Sequence, residues 1–358
     1  MSWQHLLSEN IARALWLALA HSLWLGMLLA VVAALILLLT KKSPAARRYA
    51  WLTGSLGLFT LSFFVTLAIE LKSDNPGGPS HPGEFPAVSS LLDACLAYGQ
   101  DHAPMIVHCW LLMIVLRSMW LLFGYYSLGR MKQIRVQSPS PDLEALLARL
   151  AGAMGISRVV ILLESAIVKI PLTLGYLKPV ILIPAGILTG LGIQEVEMIL
   201  LHELSHILRK DFLINILQRL VETLFFFHPA VLWLSARIRV EREHCVDDLV
   251  INHTQDRTGY IKALVHYEQY RAAIPAYALA FGGKGTLARM ERLISQRNLA
   301  LHKLELFGLA LLLAICIAFA GFSPGHSPTI PKKEKSAFEA KRKAEAEALS
   351  RQQPTQPH

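Results

Sequence analysis

The sequence predicts a mainly α membrane protein, a four-helix transmembrane bundle that carries an α+β domain on one side. Three observations predict it: four long apolar runs, an uneven placement of charge around them, and a strand pair followed by a histidine-bearing helix between the third run and the fourth. Of the 358 residues 53% are hydrophobic and 17% charged, against about a quarter charged in soluble domains, so much of the chain is built for lipid. The net charge of +9 does not mark a nucleic-acid binder, because the basic residues sit in short clusters beside the apolar runs, where membrane topology accounts for them. Cys95, Cys109, Cys245 and Cys316 show no paired spacing, which excludes a disulfide framework or a CxxC metal site.

The apolar runs, roughly 14–39, 50–71, 106–127 and 304–322, each approach or exceed the ~20 residues a helix needs to cross a bilayer. The first is too long for a cleavable signal sequence and no small-x-small site follows it, so it is expected to remain as an anchor. Between runs one and two, "KKSPAARRY" holds Lys41, Lys42, Arg47 and Arg48 and no acid, whereas the loop 72–105 sets Lys72 against Asp74, Glu84, Asp93 and Asp101. The excess of Lys and Arg marks the cytoplasmic side. The segment "GRMKQIR" after run three, and Arg289, Arg292, Arg297 and Lys303 before run four, agree. The expected division is therefore a membrane region 1–127 with the loop 72–105 outside, a cytoplasmic domain 128–303, a fourth span 304–322, and an external tail 323–358. The tail is itself basic. Its Ala, Glu and Lys content permits a short amphipathic helix, while its terminal Pro and Gln and its lack of large apolar residues favour disorder.

Within the cytoplasmic region, 141–154 reads as a helix, "VVILLE" (159–164) and "PVILIP" (179–184) as strands, and Pro184, Gly186, Gly190 and Gly192 as loop punctuation. Then comes "LLHELSHILRKD", which places His202, Glu203 and His206 in an apolar segment. Histidines four apart share one helical face, so both rings can converge on one ion. A glutamate next to the first of them can act as general base on a metal-bound water, the mechanical content of HExxH.

The stretch "FLINILQRLVETLFFFHPAVLW" (212–233) is apolar but interrupted by Asn215, Gln218, Arg219 and Glu222. Two readings stay open: a fifth span, or helices lying against the bundle or at the membrane surface, which the internal charges and the break at His228-Pro229 favour. Pro229 suits the first turn of a helix running through "VEREHCVDDLV", where Glu243 and Asp247 share a face. Such a face supplies a third metal ligand plus an acid that orients a ligand histidine; the bland alternative is a solvated face of mixed charge. Arg117, deep in run three, either marks a polar site in the bundle, facing His21 or His108, or snorkels from a span that ends earlier.

"PLTLGYLKPVILIP", "HELSHILRKDFLINILQ", "FFFHPAVLW" and "EREHCVDDLV" together resemble, in order and spacing, the BlaR/MecR-type family of bacterial integral-membrane zinc metallopeptidases, the beta-lactam sensor-transducer group. The strong similarity covers about 171–252, with looser likeness in "HSLWLG", "YIKALVHYE" and "RMERLISQ". The resemblance implies a zincin-like fold for the cytoplasmic domain, a bacterial inner-membrane location, and a function in which an external signal is relayed by self-cleavage and by cleavage of a cytosolic transcriptional repressor. It implies Zn2+ bound by His202, His206 and Glu243, with Glu203 as catalytic base. Two features depart from the family: Val246-Asp247 stands where Cys-Asp is common, which assigns Cys245 to packing, and only a short tail without an S-x-x-K motif follows the fourth run, so no penicillin-binding sensor is expected.

The expected chemistry is metal-assisted peptide hydrolysis with Glu203 moving the proton. His228, His244 and Arg242 are the candidates for stabilising the oxyanion, and "YLKPVILIP" is either an edge for extended substrate or an ordinary buried strand. Expected partners are a cytosolic protein substrate, a repressor among the candidates, and the lipid bilayer, with a homodimer left open and no nucleic acid bound directly. A housekeeping membrane-protein protease and a non-catalytic zinc scaffold are the competing classes. Substrate breadth separates the first, and the intact Glu203 with three ligands and an open position speaks against the second.

Overall fold

The computed structural model describes residues 9–72, 98–272 and 286–296, together with residues 298, 308 and 310. The expected fourth span apart from residues 308 and 310, the tail, and residues 73–97 of the loop 72–105 lie outside the described residues. Among the described residues three helices, α1 (Glu9–Leu39), α2 (Ala45–Lys72) and α3 (Ala103–Met131), are long and apolar enough to cross a membrane. Each begins three to five residues before the expected run, because helical hydrogen bonding continues through the polar flanks that hydropathy discounts. The short α1–α2 connection makes these two helices antiparallel neighbours. α1 faces its partners with Ala12, Ala14, Ala18, Gly26, Ala30, Ala33 and Ala34, small residues that let membrane helices approach closely.

The domain that follows is helix-rich around one small sheet. After β1 (Val136–Gln137) and α4 (Pro141–Ala153) come β2 (Ile161–Ser165), β3 (Leu172–Leu174) and β4 (Val180–Pro184) in the order β1-β2-β4-β3. β2 and β4, the expected strands, pair in parallel from Ile161↔Val180 to Ser165↔Pro184, and the two short edge strands pair antiparallel. β4 is buried at all five positions and flanked on both sides, so it is an interior strand. The edge-strand reading of "YLKPVILIP" therefore passes to β3.

A short turn of helix, α5 (Ile187–Gly190), leads into α6 (Ile193–Leu208), whose first turn is closed by the Glu195 carboxylate accepting the Gly192 N–H at 2.5 Å. Val196, Leu200, Leu204 and Ile207 recur at helical spacing and are buried in the domain core. That stripe leaves His202, Glu203 and His206 on the cleft side. α7 (Asp211–Leu224) and α8 (Pro229–Thr254) form a hairpin, followed by α9 (Arg257–Ala272) and α10 (Thr286–Ser295).

The hairpin answers the question raised by 212–233. Fourteen residues make a helix of about 21 Å, too short to span, and of the polar residues that looked like interruptions Gln218 and Glu222 are buried on its inner face. Gln218 Nε2 donates to Ser235 O (2.7 Å) and Oγ (2.6 Å), and Ser235 and Arg239 both donate to Glu222. The turn packs against the bundle: Phe225 meets Phe59 and Phe63 edge-on, Trp110 Nε1 donates to Leu224 O (3.0 Å), and the Arg117 guanidinium lies 5.1 Å from the Phe226 ring centroid. Arg117 thus faces the hairpin.

His228 is fully buried beside α1, its Nε2 2.9 Å from Ser22 O, and a Cβ on Gly26 would fall 2.4 Å from the His228 ring. Gly26→Ala should therefore lower the stability of the purified chain by about 1–3 kcal/mol through overpacking, read as a drop in Tm in detergent, while Gly54→Ala, inside α2 where an added Cβ meets nothing, should hold or slightly raise it. α8 belongs to both cores. Val231, Leu234 and Ile238 pack with α1 and α2, and Val250 packs in the domain.

Candidate metal centre

α6 brings the His202 and His206 rings to 4.9 Å between centroids, with planes 85° apart. α8 sets Glu243 against both: Oε2 lies 3.6 Å from His202 Nε2 and 3.9 Å from His206 Nε2. Ligand atoms about 2 Å from a tetrahedral ion stand roughly 3.3 Å apart; both Glu243 distances lie a few tenths of an ångström beyond that, and closing all three ligands on one ion requires the two imidazoles to draw together as well. Among the described residues His202, His206 and Glu243 are the group of three whose ligand atoms all lie within 4.8 Å of one another. Glu203, buried beside them, accepts a 2.6 Å hydrogen bond from Thr173 Oγ1 on β3, which fixes one carboxylate oxygen. A cleft of about 660 Å³ runs past this group, lined among others by Thr173, Tyr176, Tyr267 and Arg289.

The second ring of contacts sets which imidazole nitrogens face the cleft. The Tyr260 hydroxyl donates to Asp247 Oδ1 at 2.8 Å and lies 3.0 Å from His202 Nδ1. Burial, and then the Asp247 charge, holds the Tyr260 phenol well above its ordinary pKa, so its proton stays on oxygen and is committed to Asp247. The phenol oxygen is then free to accept from His202 Nδ1–H, the tautomer that keeps the Nε2 lone pair for an ion, with Arg289 Nη2 a second neighbour of Nδ1 at 3.3 Å. For His206 the same task falls to Asp211, whose Oδ2 is 2.8 Å from Nδ1. Asp247 is thus near His202, at 3.9 Å, but works through Tyr260. Neither Tyr260 nor Asp211 was singled out by sequence reasoning. Asp211 stands five residues after His206 at the helix end, and Tyr260 has only its place in "YIKALVHYE" to suggest it.

Arg289 completes the set, donating to Asp247 at 2.6 and 3.1 Å and standing 3.7 Å from Glu243. The two acids hold its guanidinium protonated against a burial that works the other way. Burial likewise acts to raise the Glu243 carboxyl, yet His206, His202 and Arg289 together bring it well below the usual carboxylate value.

Of the oxyanion candidates, Arg242 and His244 reach the cleft lining, whereas His228 is packed between membrane helices and is absent from it. His244 Nδ1 is 3.4 Å from Glu241. Glu241 itself faces away, in a buried 2.8 Å ion pair with Arg48 of α2. Cys245 is buried, and desolvation pushes its thiol up to about 12, which makes it a packing residue. Tyr260→Phe should keep the fold but weaken metal retention roughly tenfold, the low end of outer-contact losses, measured by chelator competition against the unsubstituted chain.

Helices able to cross a membrane, joined to a helix-borne histidine pair and a distant glutamate, define the class of membrane-anchored metallopeptidases. Residues 93–293, more than half of the chain, match the family model described as BlaR1 peptidase M56, and the chain belongs to that family. It is 29% identical over 153 residues to the regulatory protein BlaR1 of Bacillus licheniformis, covering 43% of this chain and 25% of that protein. It is 27% identical over 164 residues to the methicillin resistance mecR1 protein of Staphylococcus aureus, covering 44% and 28%. The chain thus matches only about a quarter of the length of these curated relatives.

Proposed function

We propose that this chain is a zinc endopeptidase of a bacterial inner membrane, multi-pass, with residues 128–303 as the cytoplasmic peptidase part and the N-terminus and tail outside. The observation that carries the reading is the convergence of His202, His206 and Glu243 with Glu203 beside them. Zinc suits two imidazoles and one carboxylate with a fourth position open, and when bound it acidifies water and polarises a carbonyl. Glu203 accepts the proton of the attacking water and delivers it to the leaving amine, with Thr173 holding its other oxygen in place. Tyr260 and Asp211 keep both imidazoles in the ligating tautomer. An extended peptide adds to the edge of β3, which lines the cleft beside Glu203, and Arg242 or His244 stabilises the oxyanion.

The names of the relatives, a regulatory protein and a resistance protein, favour a signalling role: site-specific cleavage of a cytosolic protein, a transcriptional repressor in the first instance, or of the chain itself. The test is cleavage by the purified chain in detergent, of itself and of cytosolic extract resolved by mass spectrometry of new N-termini. Few cleavage sites, lost with a chelator and restored by zinc, are expected. Cleavage that survives complete metal removal would sink the enzyme reading, and dozens of unrelated products would replace signalling with general turnover.

A further inference from the structure

The α7–α8 hairpin has its polarity inside out. α7 buries Asp211, Gln218 and Glu222 and turns Leu217 (59% exposed) and Leu220 (48%) outward; Phe227 and Leu232 continue that apolar surface round the turn. A helix facing water shows the reverse pattern. The one charge on the outer face of α7, Arg219, is tied back to Glu222 at 3.2 Å.

The contacts of the turn give its depth, and three helices agree. On α1 they fall at Ser22 and Gly26, at ~1.5 Å per residue roughly 20–25 Å from Leu39. On α2 they fall at Phe59 and Phe63, roughly 20–27 Å from Ala45. On α3 the base of the hairpin touches Tyr125 through Phe212 and its turn touches Trp110, roughly 22 Å further along. The loop joining α1 and α2 stands at the base, where Arg48 pairs with Glu241. A hydrocarbon core is about 30 Å thick.

We propose that α7–α8 is a re-entrant membrane hairpin: it enters from the side on which the peptidase domain lies, turns at 225–228 beyond the bilayer midplane, and returns, its outer face packed by lipid acyl chains. The backbone requirement is met, since both arms are helical and the turn is closed by His228 N–H to Phe225 O and by the Trp110 indole. Gln218, Glu222 and Ser235 of the inner polar cluster are buried between the arms, and Arg239 reaches Glu222 from the cleft side. The base of the hairpin carries two parts of the metal centre, Asp211 at the start of α7 and Glu243 on α8, so the depth of the hairpin in the bilayer sets where these residues sit.

Two measurements on the full chain in membranes test this. With reconstituted vesicles of phosphatidylcholine bearing a diazirine midway along one acyl chain, photolysis should leave adducts on Leu217, Leu220, Phe227 or Leu232. Adducts confined to α1–α3 would overturn the proposal. Cysteines added singly as Leu220→Cys and Phe227→Cys should gain no mass tag from an impermeant maleimide, above the unsubstituted protein, in either spheroplasts or inverted vesicles. Leu177→Cys, exposed on the domain, should gain one from one side, and all three should react in SDS. Labelling at 227 from the side of 177 would place the hairpin in water, and labelling from the opposite side would make it a full span; either result overturns the re-entrant path.

Discussion

Glu203→Gln is expected to leave metal content unchanged and to reduce cleavage by about a hundred- to ten-thousandfold, the range set by loss of a general base. The amide matches the carboxylate in size and can still accept the Thr173 hydroxyl, which donates at 2.6 Å, so the cleft keeps its shape. His202, His206 and Glu243 are untouched. Metal analysis beside turnover on a peptide substrate checks both halves, and undiminished turnover would remove Glu203 from the chemistry. Loss of metal and activity together would instead make it a structural support of the ligand set.

The second large effect separates two acids on one helix. Glu243→Ala should remove metal and activity together, because it takes away the ligand that closes the site at 3.6 and 3.9 Å from the two imidazoles. Glu241→Ala should keep metal in every folded molecule yet cost about 3–5 kcal/mol of stability, the penalty for leaving a buried cation without its partner, because Arg48 and Glu241 are both nearly inaccessible. Chelator titration and thermal unfolding in detergent give the two readouts. Metal lost from the Glu241 variant and kept in the Glu243 variant would mean that the register of α8 is wrong. Asp247→Ala should fall between them, weakening metal retention by about 10- to 100-fold as Tyr260 loses its acceptor.

What could be read from the chain beforehand was whatever repeats at short range. Apolar runs, the 202/206 spacing and the 243/247 spacing are local patterns, and α1–α3, α6 and α8 appear where those patterns put them. β1 and β3 were missed because two and three residues are too few to show alternation. Tyr260 and Arg289 join the site only through tertiary packing, far along the chain from His202, and no spacing rule reaches them. Arg48 was legible as part of a cytoplasmic charge cluster and Glu241 as one acid among several; that they meet, buried, at the foot of the bundle is a property of the fold. His228 failed as an oxyanion candidate for the opposite reason. Its neighbour Pro229 pointed correctly to a helix start, but that start lies between membrane helices and away from the cleft.

α8 runs for 26 residues without a break, and the Arg48–Glu241 pair grips it close to Glu243. Mechanically it is a lever with very unequal arms, about 20 Å from the grip to the turn at His228 and about 3 Å from the grip to the ligand. A sideways nudge of the turn arrives at Glu243 reduced to roughly a seventh. A slide along the helix axis arrives undiminished. On the proposed peptidase reading, lengthwise displacement of α8 is therefore the motion that would move Glu243 most against His202 and His206.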